Sequence, residues 1–306
     1  MAGYLARRCL TLVGVWLAVY TLTFGLYHVT PGGPWDRERP VPRQALELLD
    51  RKYGLDRPLA QQYVDYLVGV VTRFDFGPSY RNTSRTVGEI ISDFLPVSLK
   101  LGALAMLLAV LLGVPLGVLA AVRHRSLADH ASLGVAVLGV SIPSFVVGPL
   151  LIWAFALGLA WLPPGGIESW RHYVLPAVTL SLFPTATLAR ATRSAMLETL
   201  VADYVRTARA KGLKDRAVIG RHALRNALIP VVTLGGVLLA EVLVGSFYVE
   251  TVFAVPGIGR FFVTSVTNRD YPVLMGVTLL LTTVVALANL AVDVVNAWLD
   301  PRIRYG

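Results

Sequence analysis

The sequence predicts an all-α integral membrane protein with six transmembrane helices and both termini in the cytoplasm. Three observations carry that prediction. The 306-residue chain is 55% apolar. Only 15% of its residues are charged, where a soluble chain of this length carries about 25%. The charges are also clumped, and the gaps between clumps are long enough to cross a bilayer, which takes about 20 apolar residues at about 1.5 Å each.

The runs fall at 9–29, 97–122, 131–162, 173–191, 227–249 and 273–299. The first follows Arg7 and Arg8 and is longer than the apolar stretch of a secretory signal. No small-residue cleavage site stands after it, where the chain reads HVTPGGP, so it is expected to remain as an uncleaved span. The third carries Pro143 and Pro149 and is expected to be kinked, tilted or partly re-entrant. The fourth is interrupted by Pro176 and Pro184. The single cysteine, Cys9, allows no intrachain disulfide.

Orientation follows from the basic residues. With the N-terminus inside, Arg7, Arg8, Arg123, Arg125, Arg302 and Arg304 are cytoplasmic. The 190–225 segment adds Arg190, Arg193, Arg206, Arg209, Lys211, Lys214, Arg216, Arg221 and Arg225, whereas the two short outer loops hold only Arg171, Arg260 and Arg269. That is the asymmetry of the positive-inside rule, which long outer loops such as 31–96 escape. It also explains the net charge of +9 through topology and lipid, without nucleic acid.

Two loops carry helical periodicity. In 31–96, Leu46, Leu49 and Tyr53 share one face of a helix that Gly54 can end. A second helix after Pro58 places Leu59, Tyr63, Tyr66, Leu67 and Val70 on one side and suits the outer membrane surface. Both a plain membrane cap and a platform for an extracytoplasmic protein remain open. Inside, Val201, Tyr204, Val205 and Ala208 form a stripe, Gly212 stops the helix, and a second short helix is expected over Lys214–Leu224. Such a basic amphipathic bend suits anionic lipid as well as a protein partner.

The phrase RTARAKGL…RHALRNALIP resembles the cytoplasmic EAA motif of the membrane subunits of binding-protein-dependent ABC importers. Anchored on Gly212, the general pattern is matched at Ala208, Gly212 and Leu224. The Arg-Thr-Ala triplet at 206–208 and His-Ala-Leu at 222–224 are typical of the dipeptide and oligopeptide permease branch. YGLDRPLAQQYVDYL, FDFGPSYR, SIPSF, LAWLPPGG, YVLPAVTLSL, VETVFAVPGIGR, NRDYPVLMGV and the terminal DPRIRYG resemble that branch in the same order, and PGGPW departs from its usual Pro-Gly-Asp-Pro.

The resemblance implies a type I ABC importer transmembrane fold in a prokaryotic cytoplasmic membrane. It divides the chain into a first span (1–30), an extracytoplasmic region (31–96) and a five-helix core (97–306) with a coupling loop at 192–226. It implies a second, homologous permease subunit, two cytoplasmic ATPases that hold ATP and Mg, and a substrate-binding protein, all beside membrane lipid. The chain itself would bind no cofactor. It contains no Gly-Lys pair and so no Walker A cradle. The coupling residues implied are Tyr204, Arg206, Thr207, Ala208, Arg209, Gly212, Leu213, His222 and Leu224. Tyr204 and Ala208 would pack on the ATPase, Arg206 and Arg209 would meet its rim, and Gly212 would set the angle of the bend.

Cavity or gate candidates are Glu241, Glu250, Pro256, Gly257 and Gly259. Glu241, in the fifth span, reads either as a cavity wall that meets a peptide's amino terminus or as a protonated carboxyl in an interhelical hydrogen bond, and the second is favoured because the resemblance gives this position no motif. Pro256, Gly257 and Gly259 suit a re-entrant or plain tight turn. Asn268, Arg269 and Asp270 are expected to cap the sixth span. The five histidines show no metal spacing, and no GxSxG, HExxH or paired acids mark an enzyme. An ion-coupled secondary transporter would rest on Glu241 and Asp293 alone. Within the same branch, nickel chelates and other small solutes are the alternative cargo to peptides.

Overall fold

The computed structural model describes residues 2–35 and 42–299, with backbone alone for 2–6, 128, 135, 137, 138, 140, 244, 245 and 295–299. Arg302, Arg304 and the DPRIRYG phrase therefore lie outside the described residues, apart from the phrase's neighbours. Every extended element among the described residues is helical, and the one β-bridge, Pro78 with Thr86, is isolated. The helices are α1 (Ala2–Val29), α2 (Arg43–Tyr53), α3 (Leu59–Arg73), α4 (Val87–Val122), α5 (Leu127–Ser141), α6 (Ser144–Leu151), α7 (Val174–Leu200), α8 (Asp203–Ala210), α9 (Asp215–Ala217), α10 (Leu224–Val252), α11 (Ile258–Asn268) and α12 (Tyr271–Leu299).

Among the described residues, five stretches of helix are long and apolar enough to cross a membrane: Arg7–Val29, Val87–Val122, Trp170–Leu200, Asp215–Leu243 and Tyr271–Val294. The sequence-predicted third span is broken. Pro143 has no N–H to continue α5 and stands extended (φ −61°, ψ 140°) ahead of α6, which runs on into a π-turn at Ile152–Gly158. The weakly apolar fourth span is a 27-residue helix, α7. Its apolar window is 61% buried, the largest share of the five, because it faces protein more than lipid.

The helices form two compact units, and α4 and α12 each contribute to both. One holds Ala2–Val97 with Gly257–Thr283. Here Tyr20 and Phe24 of α1 are buried with Val70 of α3 and with Met275 and Leu279 of α12. The Tyr20 hydroxyl donates to the Tyr63 carbonyl at 2.6 Å. The tyrosine face of α3 therefore covers other helices, rather than lipid as its periodicity suggested. Gly54 (φ +69°) does end α2, with its own N–H on the Arg51 carbonyl and that of Leu55 on Asp50. Leu46, Leu49 and Tyr53 pack beside Trp35, Tyr80 and Tyr271.

Asp270 does more than cap α12. Its buried carboxylate accepts the Ser79 hydroxyl and the N–H groups of Tyr80 (3.0 Å) and Arg81 (3.3 Å). It thus ties the loop before α4 to the start of α12, and the 31–96 region is a packed layer, not a linker.

The other unit holds Ser98–Pro256 and the chain from Val284. Helix α7 is its axis. Gly113 and Gly117 of α4 lie so close to it that a Cβ would stand 2.7 Å from the Thr185 carbonyl oxygen and 2.5 Å from that of Ala189. Leu188 of α7 is buried with Ala109, Val231 and Leu238. Small residues that let helix backbones touch are the main packing device where lipid removes the hydrophobic drive.

Candidate coupling site and intramembrane pocket

The basic bend is built on α8. Two of its stripe residues, Val205 and Ala208, are buried with Ala121 of α4, Met196 of α7 and Val218, Ala223 and Ala227. This cluster gathers the C-terminal ends of α4 and α7 with the start of α10, the grouping that alternating spans require. Ala208 is thus turned into its own chain, which corrects its expected place against a partner. Leu224 packs at the edge of the same cluster. Val201 just before α8 is exposed, as are Tyr204, Arg206, Thr207 and Arg209 within it.

Gly212 stops α8 by a specific hydrogen-bond pattern. Its N–H donates to the Arg209 carbonyl at 2.9 Å, and the Leu213 N–H reaches back to Ala208 at 3.4 Å. That is the Schellman arrangement, and it needs the left-handed φ of +75° that Gly212 adopts. Leu213 is thereby held 43% exposed, as Tyr204 at the start of α8 is 45% exposed. Around them, Arg206 and Arg209 reach Asp203 and Asp215 only at 3.8 Å, in exposed pairs of little net worth. Thr207 donates to the Asp203 carbonyl.

The second short helix is not separate. Asp215–Ala217 passes through a π-turn, Val218–Ala223, directly into α10. Gly220 is exposed and costs about 1 kcal/mol in a helix, but burial of Val218, Ala223 and Ala227 outweighs it. His222, half-buried, sits in this turn and its carbonyl accepts the Asn226 amide.

A buried ion pair braces the same end. Asp129 takes two bonds from Arg193, at 2.6 Å to Nε and 2.9 Å to Nη2, and one from the Arg125 N–H at 2.9 Å, with His124 Nδ1 at 3.2 Å. The Arg193 guanidinium, then the Arg125 N–H, hold the Asp129 carboxyl well below the usual carboxylate range. Sequence reading took Arg125 and Arg193 as topology signals alone. Their partner lies 64 positions from Arg193, and no local pattern announces it.

Deeper in the same unit, a pocket of about 220 Å³ opens between the α5–α6 break, the middle of α7 and α10. Glu241 lines it, exposed, with no hydrogen bond or ion pair among the described residues. The interhelical bond expected at this position is not made among the described residues. Glu250 is placed elsewhere. It is fully buried, and its Oε1 accepts the hydroxyls of Ser98 (2.5 Å) and Ser246 (2.9 Å), joining α4 to α10. Its Oε2 has no partner among the described residues.

Pro256, Gly257 and Gly259 form the step between α10 and α11 and are not among the residues that line the pocket. The left-handed residue there is Ala254 (φ +49°), and Gly257 is extended (φ −105°, ψ 170°). No group of three His, Cys, Asp or Glu placed for a metal occurs among the described residues.

The chain thus joins membrane-length helices to an exposed, charge-flanked bend after α7. The solved structures that resemble it agree on the fold. The methionine ABC transporter MetNI, in an inward-facing conformation, superposes with a TM-score of 0.60 at 19% identity, over 70% of this chain and 97% of that one. An amino acid ABC transporter crystallised with histidines gives 0.52 at 16%, over 71% and 95%. The chain has the type I ABC importer transmembrane fold.

Residues 113–305 match the family described as binding-protein-dependent transport system inner membrane component, and residues 1–102 match its N-terminal companion. The chain belongs to that family and is a multi-pass component of a bacterial inner membrane. It is 44% identical to the dipeptide transport system permease protein DppB of Bacillus subtilis, over 99% of this chain and 98% of that protein. Against the oligopeptide transport system permease protein OppB of Salmonella typhimurium it is 42% identical over the whole of both.

Proposed function

We propose that this chain is the permease subunit of an ABC importer that carries dipeptides or oligopeptides inward. The observation that carries the cargo is the full-length likeness, above 40% identity, to permeases named for dipeptide and oligopeptide transport. A substrate-binding protein delivers the peptide, a second, homologous permease completes the pathway, and two ATPase subunits with ATP and Mg supply the energy. This chain performs no hydrolysis.

The bend at α8 is the handle. A helix that lies on lipid needs a free apolar face, and half of the stripe, Val205 and Ala208, is taken up inside the chain, leaving only Val201 and Tyr204 of it outward. Outward along the bend stand the apolar side chains of Val201, Tyr204 and Leu213, in a segment whose Arg206, Arg209, Lys211 and Lys214 are also exposed. Tyrosine and arginine on a small apolar patch are the composition of a protein interface. When the ATPases close, α8 transmits the movement to α4, α7 and α10, whose ends share its core.

The test is uptake by proteoliposomes that hold the complete transporter. Labelled di- and pentapeptides should accumulate only with ATP inside the cell-facing compartment and binding protein on the other side. Uptake driven by an ion gradient without ATP, or restricted to a metal chelate, would replace this reading.

A further inference from the structure

We propose that the pocket at Glu241 receives the α-amino group of the translocating peptide; this rests on the import reading above. An ionisable side chain within a span is costly and marks a ligand or a path. Among the described residues, Glu241 is the only ionisable one that lines the pocket, and none of them neutralises it.

The backbone adds acceptors of the same sign. Pro143 has no N–H for the Gly139 carbonyl four residues earlier, and Pro184 has none for Leu180. All four residues line the pocket. Two prolines thus withhold the usual i+4 donor from the carbonyls of two residues that line the same pocket as the lone carboxylate. The chemical complement of that set is a group with several N–H donors and a positive charge, a primary ammonium.

Ser144, where α6 begins, contributes an N–H outside that helix's own ladder, suited to the first peptide carbonyl. The volume of about 220 Å³ lies below the roughly 300–1,000 Å³ of a site that encloses a whole small molecule. It suits one end of a peptide. The prolines that looked like kink formers therefore serve recognition, by what they remove.

The experiment uses the assembled transporter in nanodiscs, nucleotide-free and without binding protein, so that the binding protein's own selection does not enter. The probe is a tripeptide with p-benzoylphenylalanine at its second position, and photolabelled segments are mapped by mass spectrometry. The wild type should be labelled in 142–147 and 179–184. N-acetylation of the probe, or Glu241→Gln, should each cut that labelling about tenfold, the loss of one hydrogen bond to a charged group, while Glu241→Asp retains most of it and reports that the fold is intact.

Equal labelling by free and acetylated probes overturns the assignment and leaves the import reading standing. So does full labelling by an acetylated probe that carries a lysine, which would assign the pocket to side-chain ammonium groups. Absence of any peptide uptake by the wild-type transporter overturns the import reading itself.

Discussion

Gly117→Leu is expected to leave little folded permease in the membrane. A Cβ at that position would stand 2.5 Å from the Ala189 carbonyl oxygen, 2.6 Å from Thr192 Cβ and 3.0 Å from the Arg193 nitrogen. Two of these are backbone atoms, which cannot rotate away. One turn earlier, Gly113 meets the Thr185 carbonyl in the same manner, so the two helices cannot separate at one glycine without opening the other. Overpacking costs about 1–3 kcal/mol even where side chains adjust, and here the whole contact between α4 and α7 must part. Against a total stability of about 5–15 kcal/mol, that is a large loss.

Arg193, which holds Asp129, lies one residue past Thr192, so the same displacement disturbs the buried ion pair. Thermal unfolding of the detergent-solubilised, fluorescently tagged complex would rank the variants. Gly117→Leu should fall furthest, Gly117→Ala less, and Gly134→Ala, with open space around its Cβ, should match the wild type. Equal melting of Gly117→Leu and Gly134→Ala would refute the packing account.

Gly212→Val is expected to lower peptide uptake by about tenfold while ATP hydrolysis by the complex continues. Nothing lies within 4 Å of a Cβ built at Gly212, so space is not the obstacle. The obstacle is φ of +75°, which costs an ordinary residue about 1–2 kcal/mol and a β-branched one more. That cost is about the size of the Schellman hydrogen bonds it would break. Released, Leu213 loses the backbone bond that ties it to Ala208, while Val205 and Ala208 keep the body of α8 seated.

The expected result is uncoupling rather than unfolding. Asparagine visits the left-handed region more readily than other non-glycine residues, so uptake should rank Gly, Asn, Ala, Val. A reversed order, or full uptake by Gly212→Val, would remove the bend from the mechanism.

The long apolar runs and the charge asymmetry made the span pattern legible, because lipid imposes composition directly on helices that face it. Helix α7 was harder to read for the same reason. It faces protein, and its threonines and prolines dilute the apolar signal. The GVPLG run at 113–117 held the α4–α7 contact in plain view as two small residues four apart, and sequence reading passed over it. The broken third span was foreshadowed by Pro143 and Pro149.

In the bend, periodicity found the stripe but not its direction. Burial of Val205 and Ala208 depends on Ala121, Met196 and Val218 from three other elements. The separation of Glu241 from Glu250 was likewise hidden, since it depends on Ser98, 152 positions away from Glu250. The left-handed turn after α10 falls on Ala254, which no turn rule would select over the nearby glycines.

The central claim is that the outward side of α8 is held by an ATPase. Its most direct test places a photocrosslinking amino acid at Tyr204 in the assembled, membrane-embedded transporter. Crosslinks to an ATPase subunit, lost when that subunit is omitted and altered in extent by ATP, are the predicted outcome. Crosslinks to lipid alone, unchanged by the presence of the ATPases, would contradict the account.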